Sequence, residues 1–364
     1  MNEKLGNTVK FIVFVGLGFG ILYLVYRNQQ AAYLADCALR GVAEEDCSLI
    51  RKVLRDFRGA DFGWLALAIA CYTLSNLSRA IRWNMMLRSF GSRPRLDNAF
   101  LTIALGYFAN LGFPRLGEIA RPAAMARYEN ISLERVIGTV VVGRILDVIS
   151  LLIMTAMTLY FGRELILNWV SENADFSRFA GVEYLLGGVA VLGVVVLALA
   201  YFQRERIAGT RLGGRALGIL EGFVDGLGSI ARVDNVPLYL FHSVNIWFMY
   251  YWMNYSLLQS FAPAAGVGLD GALTVFVSGG WGIVVPSPGG MGSYHFMTSS
   301  ALGLYGVAGE DGFSWANIGF FTINIGSNVI VGLIALLALP RINRNYDPPP
   351  PAAGGEPTAG DGPS

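Results

Sequence analysis

Apolar residues run for about twenty positions at a time along most of this chain, and polar residues gather between the runs. A helix that crosses the hydrocarbon core of a bilayer needs about 20 mainly apolar residues. Six stretches meet that length: 10–27, 62–78, 136–161, 184–202, 236–261 and 315–339. Two others fit no single crossing. Residues 99–113 are short and end in Asn110-Leu-Gly-Phe-Pro114, while 271–307 are too long for one span and are broken between Pro286 and Gly290.

The charges between the runs decide how to read these two pieces. Loops on the cytoplasmic side are enriched in Lys and Arg. Loop 79–98 carries Arg79, Arg82, Arg88, Arg93 and Arg95 against Asp97, and loop 203–235 and the tail from Arg341 are basic too. Loops 162–183 and 308–314 are acidic and read as external. Helix 136–161 alone takes the chain from a basic loop to an acidic one, so 99–130 must enter and return on the cytoplasmic side. By the same argument 271–307 enters and returns on the external side. The predicted fold is an all-α polytopic membrane protein: six full spans plus two re-entrant helical hairpins, 99–130 and 271–307, with both termini cytoplasmic. Hairpins entering from opposite faces are what an inverted repeat gives.

Composition agrees. Of 364 residues, 54% are hydrophobic and 15% charged, against about 25% charged in soluble domains. A single membrane domain is expected over 1–340, followed by a disordered Pro/Gly-rich cytoplasmic tail, 341–364. Loop 28–61 is expected outside the membrane, with a short amphipathic helix near Cys47–Arg58. The run Phe11–Tyr26 is followed by no small-residue cleavage site and reads as an uncleaved helix rather than a signal peptide. With a formal charge of +1 and no basic run, nucleic acid is excluded as a partner. No metal-ligand cluster is visible, and no cofactor is expected. Cys37 and Cys47, in the first external loop, are either bonded to each other or two free thiols.

The candidate chemistry sits at the two breaks. In the first hairpin, Arg115, Glu118 and Arg121 are spaced by three, which in a helix puts them on one face beside Pro114 and Asn110. Guanidiniums suit bidentate phosphate binding. Arg79 and Arg82 share a side in Arg79-Ala-Ile-Arg-Trp83, serving as cytoplasmic anchors or as lipid contacts. Arg144 and Asp147, three apart within helix 136–161, form an intramembrane pair, and such residues mark a site by default. At the second break, Pro286, Pro288, Gly289, Gly290 and Gly292 permit close approach, and the return arm opens with free N–H groups toward an anion. His295, three positions on, is a titrating group or a packed one. The polar residues His242, Asn245, Asn254, Asn317, Asn324 and Asn328 read as helix–helix glue.

The runs Arg79-Ala-Ile-Arg-Trp83, Asn110 to Arg121, Arg144 with Asp147, and Pro288-Gly-Gly-Met-Gly292 resemble the transmembrane, flippase-like domain of the lysylphosphatidylglycerol synthase family, also called uncharacterised protein family 0104. The resemblance covers about 62–340. It implies a lipid-translocating protein of the cell inner membrane. In two-domain relatives a soluble aminoacyl-transferase domain follows the membrane part, and no such domain follows here, so lipid aminoacylation is not implied. The family pattern continues Pro-Gly-Gly-x-Gly-x-x-Glu, whereas this chain has His295 in the last place. That change favours a neutral or anionic headgroup, such as a glycolipid or polyprenyl phosphate, over a lysyl-lipid.

The function expected is therefore transport of a lipid or lipid-linked headgroup by alternating access, without enzymatic activity. Arg115, Glu118, Arg121 and Arg144 would hold the phosphate, and the 286–292 break would form the external half of the path. No ATP-binding motif is present. The rivals are a membrane-embedded transferase with Glu118 or Asp147 as base, or a non-transporting partner of an envelope enzyme. Expected partners are a membrane lipid, with a second copy of the chain or an envelope-biosynthesis enzyme as alternatives.

Overall fold

Two antiparallel helices run side by side for their whole length and form the axis of the fold. Helix α2 (Phe62–Arg88) begins where Asp61 accepts a hydrogen bond from the Gly63 N–H, and α6 (Val236–Gln259) begins where Asn235 accepts from Leu238 N–H. Both caps supply an acceptor to an N–H that has no partner within its helix. The pair is pinned from end to end: Tyr239 donates to the Met86 sulfur, Asn245 to Ser78, Ser75 to the Ile246 carbonyl, and the Asp61 N–H to the Ser260 carbonyl.

The coordinates are a computed structural model. It describes residues 47–112, 115–163, 233–285, 287 and 290–348, with the helical positions 22–24, 26–27, 29–31, 33–35 and 37–39 and residues 42–43 before them. The chain divides into two units, Met1–Gly162 with Val233–Ser364, and Arg163–Arg232; the description is of the first. The expected span 184–202, most of 10–27, and Pro114, Pro286, Pro288 and Gly289 lie outside the described residues. Among the described residues all regular structure is helical.

The remaining elements pack around the axis. An amphipathic helix, α1 (Leu49–Gly59), precedes it. A first hairpin pairs α3 (Leu96–Gly112) with α4 (Gly117–Glu129), and α5 (Leu133–Phe161) follows. A second hairpin pairs α7 (Leu269–Val284) with α8 (Ser293–Gly303). The last rod joins α9 (Gly309–Phe320), a wider π-type turn over Phe321–Val329, and α10 (Ile330–Ile342). Among the described residues, Leu133–Phe161 and Gly309–Ile342 are long and apolar enough to cross a membrane. The apolar window of α5 is only 28% buried, and Val148, Leu152, Ile153 and Phe161 face outward. An outward apolar face of that length suits lipid.

The feet of the two hairpins sit at opposite ends of the axis. At the Arg88 end, Asn98 of α3 and Glu129 of α4 are hydrogen-bonded, and Asn98 exchanges amide bonds with Asn343 after α10. Glu129 also accepts from the Arg95 N–H and, at 2.9 Å, from the Tyr346 hydroxyl. Burial first, then that bond to a carboxylate, pushes the Tyr346 phenol up to about 12. At the opposite end, Tyr305 beyond α8 meets Thr274 of α7 at 2.8 Å, and Tyr251 donates to the Leu269 carbonyl. There the Cys37–Cys47 disulfide packs on Phe313 of α9. Lys52 of α1 binds Asp56 and Asp311; burial alone would lower its ammonium pKa, but those bonds outweigh it and the net shift is upward.

Three expectations need correction. The loop placed over 79–98 is helix as far as Arg88, so Arg79 and Arg82 are helical residues, not loop charges. The acidic loop 308–314 is largely the first turns of α9, where Glu310 and Asp311 lie at the positive end of the helix dipole. Residues 341–346, expected in a disordered tail, are ordered instead: Arg341 and Ile342 end α10, and Asn343 and Tyr346 bind the first hairpin.

The first hairpin closes on a glycine contact. A Cβ added to Gly117 would lie 2.1 Å from the Gly106 carbonyl oxygen, and the Gly117 N–H donates to the Asn110 side chain at 2.8 Å. Gly117→Ala should therefore destabilise the protein by about 1–3 kcal/mol through overpacking. Gly112, a helical glycine of α3, has nothing within 4 Å of a built Cβ. Gly112→Ala should instead be neutral or stabilise by about 0.5–1 kcal/mol. Circular-dichroism melting of both variants in detergent tests this, and equal effects would remove the contact from the account.

Candidate functional site: an arginine cavity between three helices

The site begins with an aspartate in an apolar helix. Asp147 is the middle residue of α5. A carboxylate at that place is costly unless paired, and both of its oxygens are used. Oδ2 accepts from Arg79 at 2.7 Å and Oδ1 from Arg82 at 3.3 Å. Both arginines come from α2, three residues apart on one face, and are only 7% and 3% exposed. Arg79 lies about 14 Å along the helix from its Arg88 end.

Helix α4 brings the third arginine. Gly106 and Gly117 let α3 and α4 touch, and the Arg121 guanidinium lies 4.0 Å from the centroid of the Trp83 ring. The indole N–H of Trp83 in turn donates to Thr139 of α5 at 2.9 Å. A desolvated cation over an indole face gains about 2 kcal/mol. A fourth arginine, Arg144 on α5, holds Glu118 of α4 through two hydrogen bonds, one of them 3.2 Å from Nε to Oε2. This pair is the open part of the cluster, with side chains 49% and 36% exposed.

The four guanidiniums surround a cavity of about 20 Å³, lined also by Trp83, Thr139 and Asp147, a volume near that of one water site. Three buried donors around it have no hydrogen-bond partner among the described residues: Arg79 Nε, Arg82 Nη1 and Arg121 Nε. Unpaired buried donors are expensive, and here all three belong to cations.

Behind Arg79 stand aromatic hydroxyls. Its guanidinium lies 5.8 Å from the Tyr250 ring, Tyr250 meets Tyr107 at 3.4 Å between oxygens, and Tyr72 donates to Asn328 at 2.7 Å. Asn328 donates to Asn324 within the wide turn between α9 and α10. A π-type turn inside an α-helix often marks a functional place.

The structure thus gathers Arg79, Arg82, Glu118, Arg121, Arg144 and Asp147, with Asn110 bracing the hairpin tip. It corrects two pairings. Arg144 and Asp147 do not bind each other: Arg144 turns to α4 and Asp147 to α2. Arg115 does not share a helical face with Glu118 and Arg121. It precedes α4 in a left-handed turn, φ 66°, and is exposed. Trp83, read as a membrane-interface residue, is 3% exposed inside the cluster. Tyr107 and Tyr250 went unnoticed, since nothing in their spacing points to an arginine on another helix.

At the second break, Gly290 and Gly292 take φ of 79° and 85°, which glycine adopts without a Cβ penalty. The Ser293 hydroxyl donates to the Gly282 carbonyl and closes that hairpin. His295 is 1% exposed, among Phe313, Phe320 and Tyr294, and its Nδ1 accepts from the Gly292 N–H. The expectation of free N–H groups there is corrected for Gly292. The second hairpin and the arginine cavity are separate places in the fold. No group of three or more His, Cys, Asp or Glu side chains suits a metal among the described residues.

A family model described as the lysylphosphatidylglycerol synthase TM region matches residues 39–332, a stretch that holds the whole cavity. Comparison with curated proteins and with solved structures returned no match.

The two ion pairs differ in depth, and so should their removal. Asp147→Asn leaves Arg79 and Arg82 unpaired in a buried place and should cost about 3–5 kcal/mol. Glu118→Gln breaks an exposed pair and should cost under about 1 kcal/mol. Denaturant titration in mixed micelles measures both, and similar losses would mean that Asp147 does not hold α2 to α5.

Proposed function

We propose that this chain, which belongs to the lysylphosphatidylglycerol synthase TM-region family of membrane proteins linked to lipid handling, moves a lipid headgroup across the inner membrane. The observation that carries the reading is the cavity: four arginines around it, three of them with a buried, unpartnered N–H group, inside an apolar helical unit. Phosphate is the lipid group that such donors recognise. A lipid that offers its phosphate there would supply acceptors to donors that otherwise have none.

The topology proposed is six full spans with two re-entrant hairpins, both termini cytoplasmic. Three features support it. The hairpin feet lie at opposite ends of the α2–α6 axis. The end that carries the disulfide suits an oxidising, extracytoplasmic compartment. At 16 and 11 residues, α7 and α8 are about 24 and 17 Å long, short of a full crossing each. Hairpins facing each other around a fixed site are a recurrent transporter plan. The path would start at the exposed Glu118–Arg144 pair, which closes the cavity by joining α4 to α5, and would continue past Arg79 to the tyrosines. Residues 286–292 would line its external half. Transferase chemistry draws less support, because both candidate bases, Glu118 and Asp147, are engaged by guanidiniums.

Reconstitution in liposomes tests the proposal. Acyl-chain-labelled phosphatidic acid, a monoester, and phosphatidylglycerol, a diester, would each be followed with a membrane-impermeant quencher of the outer leaflet, and transport of either counts. Wild-type protein should accelerate equilibration over protein-free vesicles. Arg121→Gln should slow it at least about tenfold, since it removes a charge-assisted bond. Equilibration at the protein-free rate, or an Arg121→Gln variant as fast as wild type, would overturn the proposal.

A further inference from the structure

We infer that the anion accepted by the arginine cavity is doubly charged: a phosphate monoester or diphosphate at the end of a lipid, and not a phosphodiester, a zwitterion or a cation. The inference rests on the lipid-handling reading of the cavity and names its substrate class.

Charge is the first argument. The pair Arg144–Glu118 at the mouth is neutral as a unit. Inside it, Arg79, Arg82 and Arg121 face the single carboxylate of Asp147. Three positive charges against one negative leave two uncompensated, with Arg79 and Arg82 buried and Arg121 half-buried. Buried charges need a counter-charge, and a dianion supplies it in full. A phosphodiester carries one charge and would leave one guanidinium unbalanced. A zwitterion adds no net charge, and a cationic headgroup would increase the imbalance.

Hydrogen-bond valence is the second argument, and it is independent of charge. The three unpartnered donors belong to three different side chains on two helices. A terminal phosphate offers three non-bridging oxygens, one for each donor. A diester offers two and puts an esterified oxygen where the third should be.

Available acceptors supply the third. An ammonium headgroup needs a carboxylate whose charge is not already offset by a cation. Asp147 has each oxygen on a different arginine, and both Glu118 oxygens bind Arg144. Among the described residues lining the cavity there is no further carboxylate.

The cavity of about 20 Å³ is smaller than a phosphate, so binding requires the α4–α5 contact to open. The Glu118–Arg144 bond is the contact that would part.

The test is binding to purified, full-length protein in detergent, read by thermal shift and native mass spectrometry. The probes are phosphatidic acid and a polyprenyl phosphate as monoesters, phosphatidylglycerol as a diester, phosphatidylethanolamine as a zwitterion, lysylphosphatidylglycerol as a cation, and inorganic phosphate and diphosphate alone. The monoester lipids should bind at least about tenfold more tightly than the diester, as expected for one further charge-assisted bond. Arg121→Gln should erase that preference. Because Arg121 has no carboxylate partner, its loss strands no buried charge; its folding is checked by its melting temperature. Equal or tighter binding of phosphatidylglycerol or lysylphosphatidylglycerol would overturn the inference. Equal protection by inorganic phosphate would overturn its lipid part and uphold its charge class. Transport of diesters without monoester preference would defeat this inference while leaving transport intact. Monoester binding without transport would do the reverse.

Discussion

Asp147 is the residue on which the rest of this structure depends. It stands at the centre of an apolar helix, where a lone carboxylate is not tolerated, and it is tolerated because two arginines of α2 divide its oxygens between them. That arrangement fixes the rotation of α5 against α2. Once α5 is fixed, Thr139 holds the Trp83 indole, and the indole face receives Arg121. Arg144, one turn from Asp147 and pointing elsewhere, is left to meet Glu118. A single acid in an apolar helix thus orders three helices and sits among four arginines, more than it can neutralise.

The cluster holds more positive charge than its two acids offset. A ladder that only locks helices would be balanced, since any excess charge adds desolvation cost without adding an attraction. Here the imbalance coincides with a small void and with unpartnered donors on three of the arginines that line it. The same hairpin is made rigid at its base and tightly joined near its tip. Glu129, Asn98, Asn343 and Tyr346 knot its feet to the end of α10, and Gly117 lies against Gly106. Across to its neighbours the hairpin is held by the Arg121–Trp83 contact, the Tyr107–Tyr250 contact and the exposed Glu118–Arg144 pair.

Much of this was legible in the sequence, and what was not has a common cause. Helix 136–161 and both hairpins follow from apolar length, glycine and proline breaks, and loop charge. The site residues were legible as types, because arginine and aspartate inside apolar runs have few bland explanations. Their partners were not. Spacing within one helix suggested that Arg144 binds Asp147 and that Arg115 joins Glu118 and Arg121. The actual partners lie 68 and 65 residues away for Asp147 and 26 away for Arg144. Arg79 and Arg82 misled for a related reason. Counted as loop charges they mark topology, and only the distant aspartate makes them part of a cluster. Arg115 fell from the set because one left-handed residue before Gly117 takes it off the helical face.

The second hairpin bears on the charge class by a different route. In the family pattern that this chain resembles, the position of His295 holds a glutamate. Here the imidazole is buried against Phe313 and Phe320, and its Nδ1 takes the Gly292 N–H at 3.4 Å, so that nitrogen acts as an acceptor. A carboxylate in that ring-lined place would need a cation to offset its burial, and an ammonium headgroup could provide one. An unprotonated imidazole needs none. This residue therefore replaces a potential cation partner with a neutral acceptor of a backbone N–H. The arginine cavity lacks a free carboxylate for the separate reason that both of its acids are already bound. The two places share no residue, and in both the groups that could face a cation are neutral or already paired.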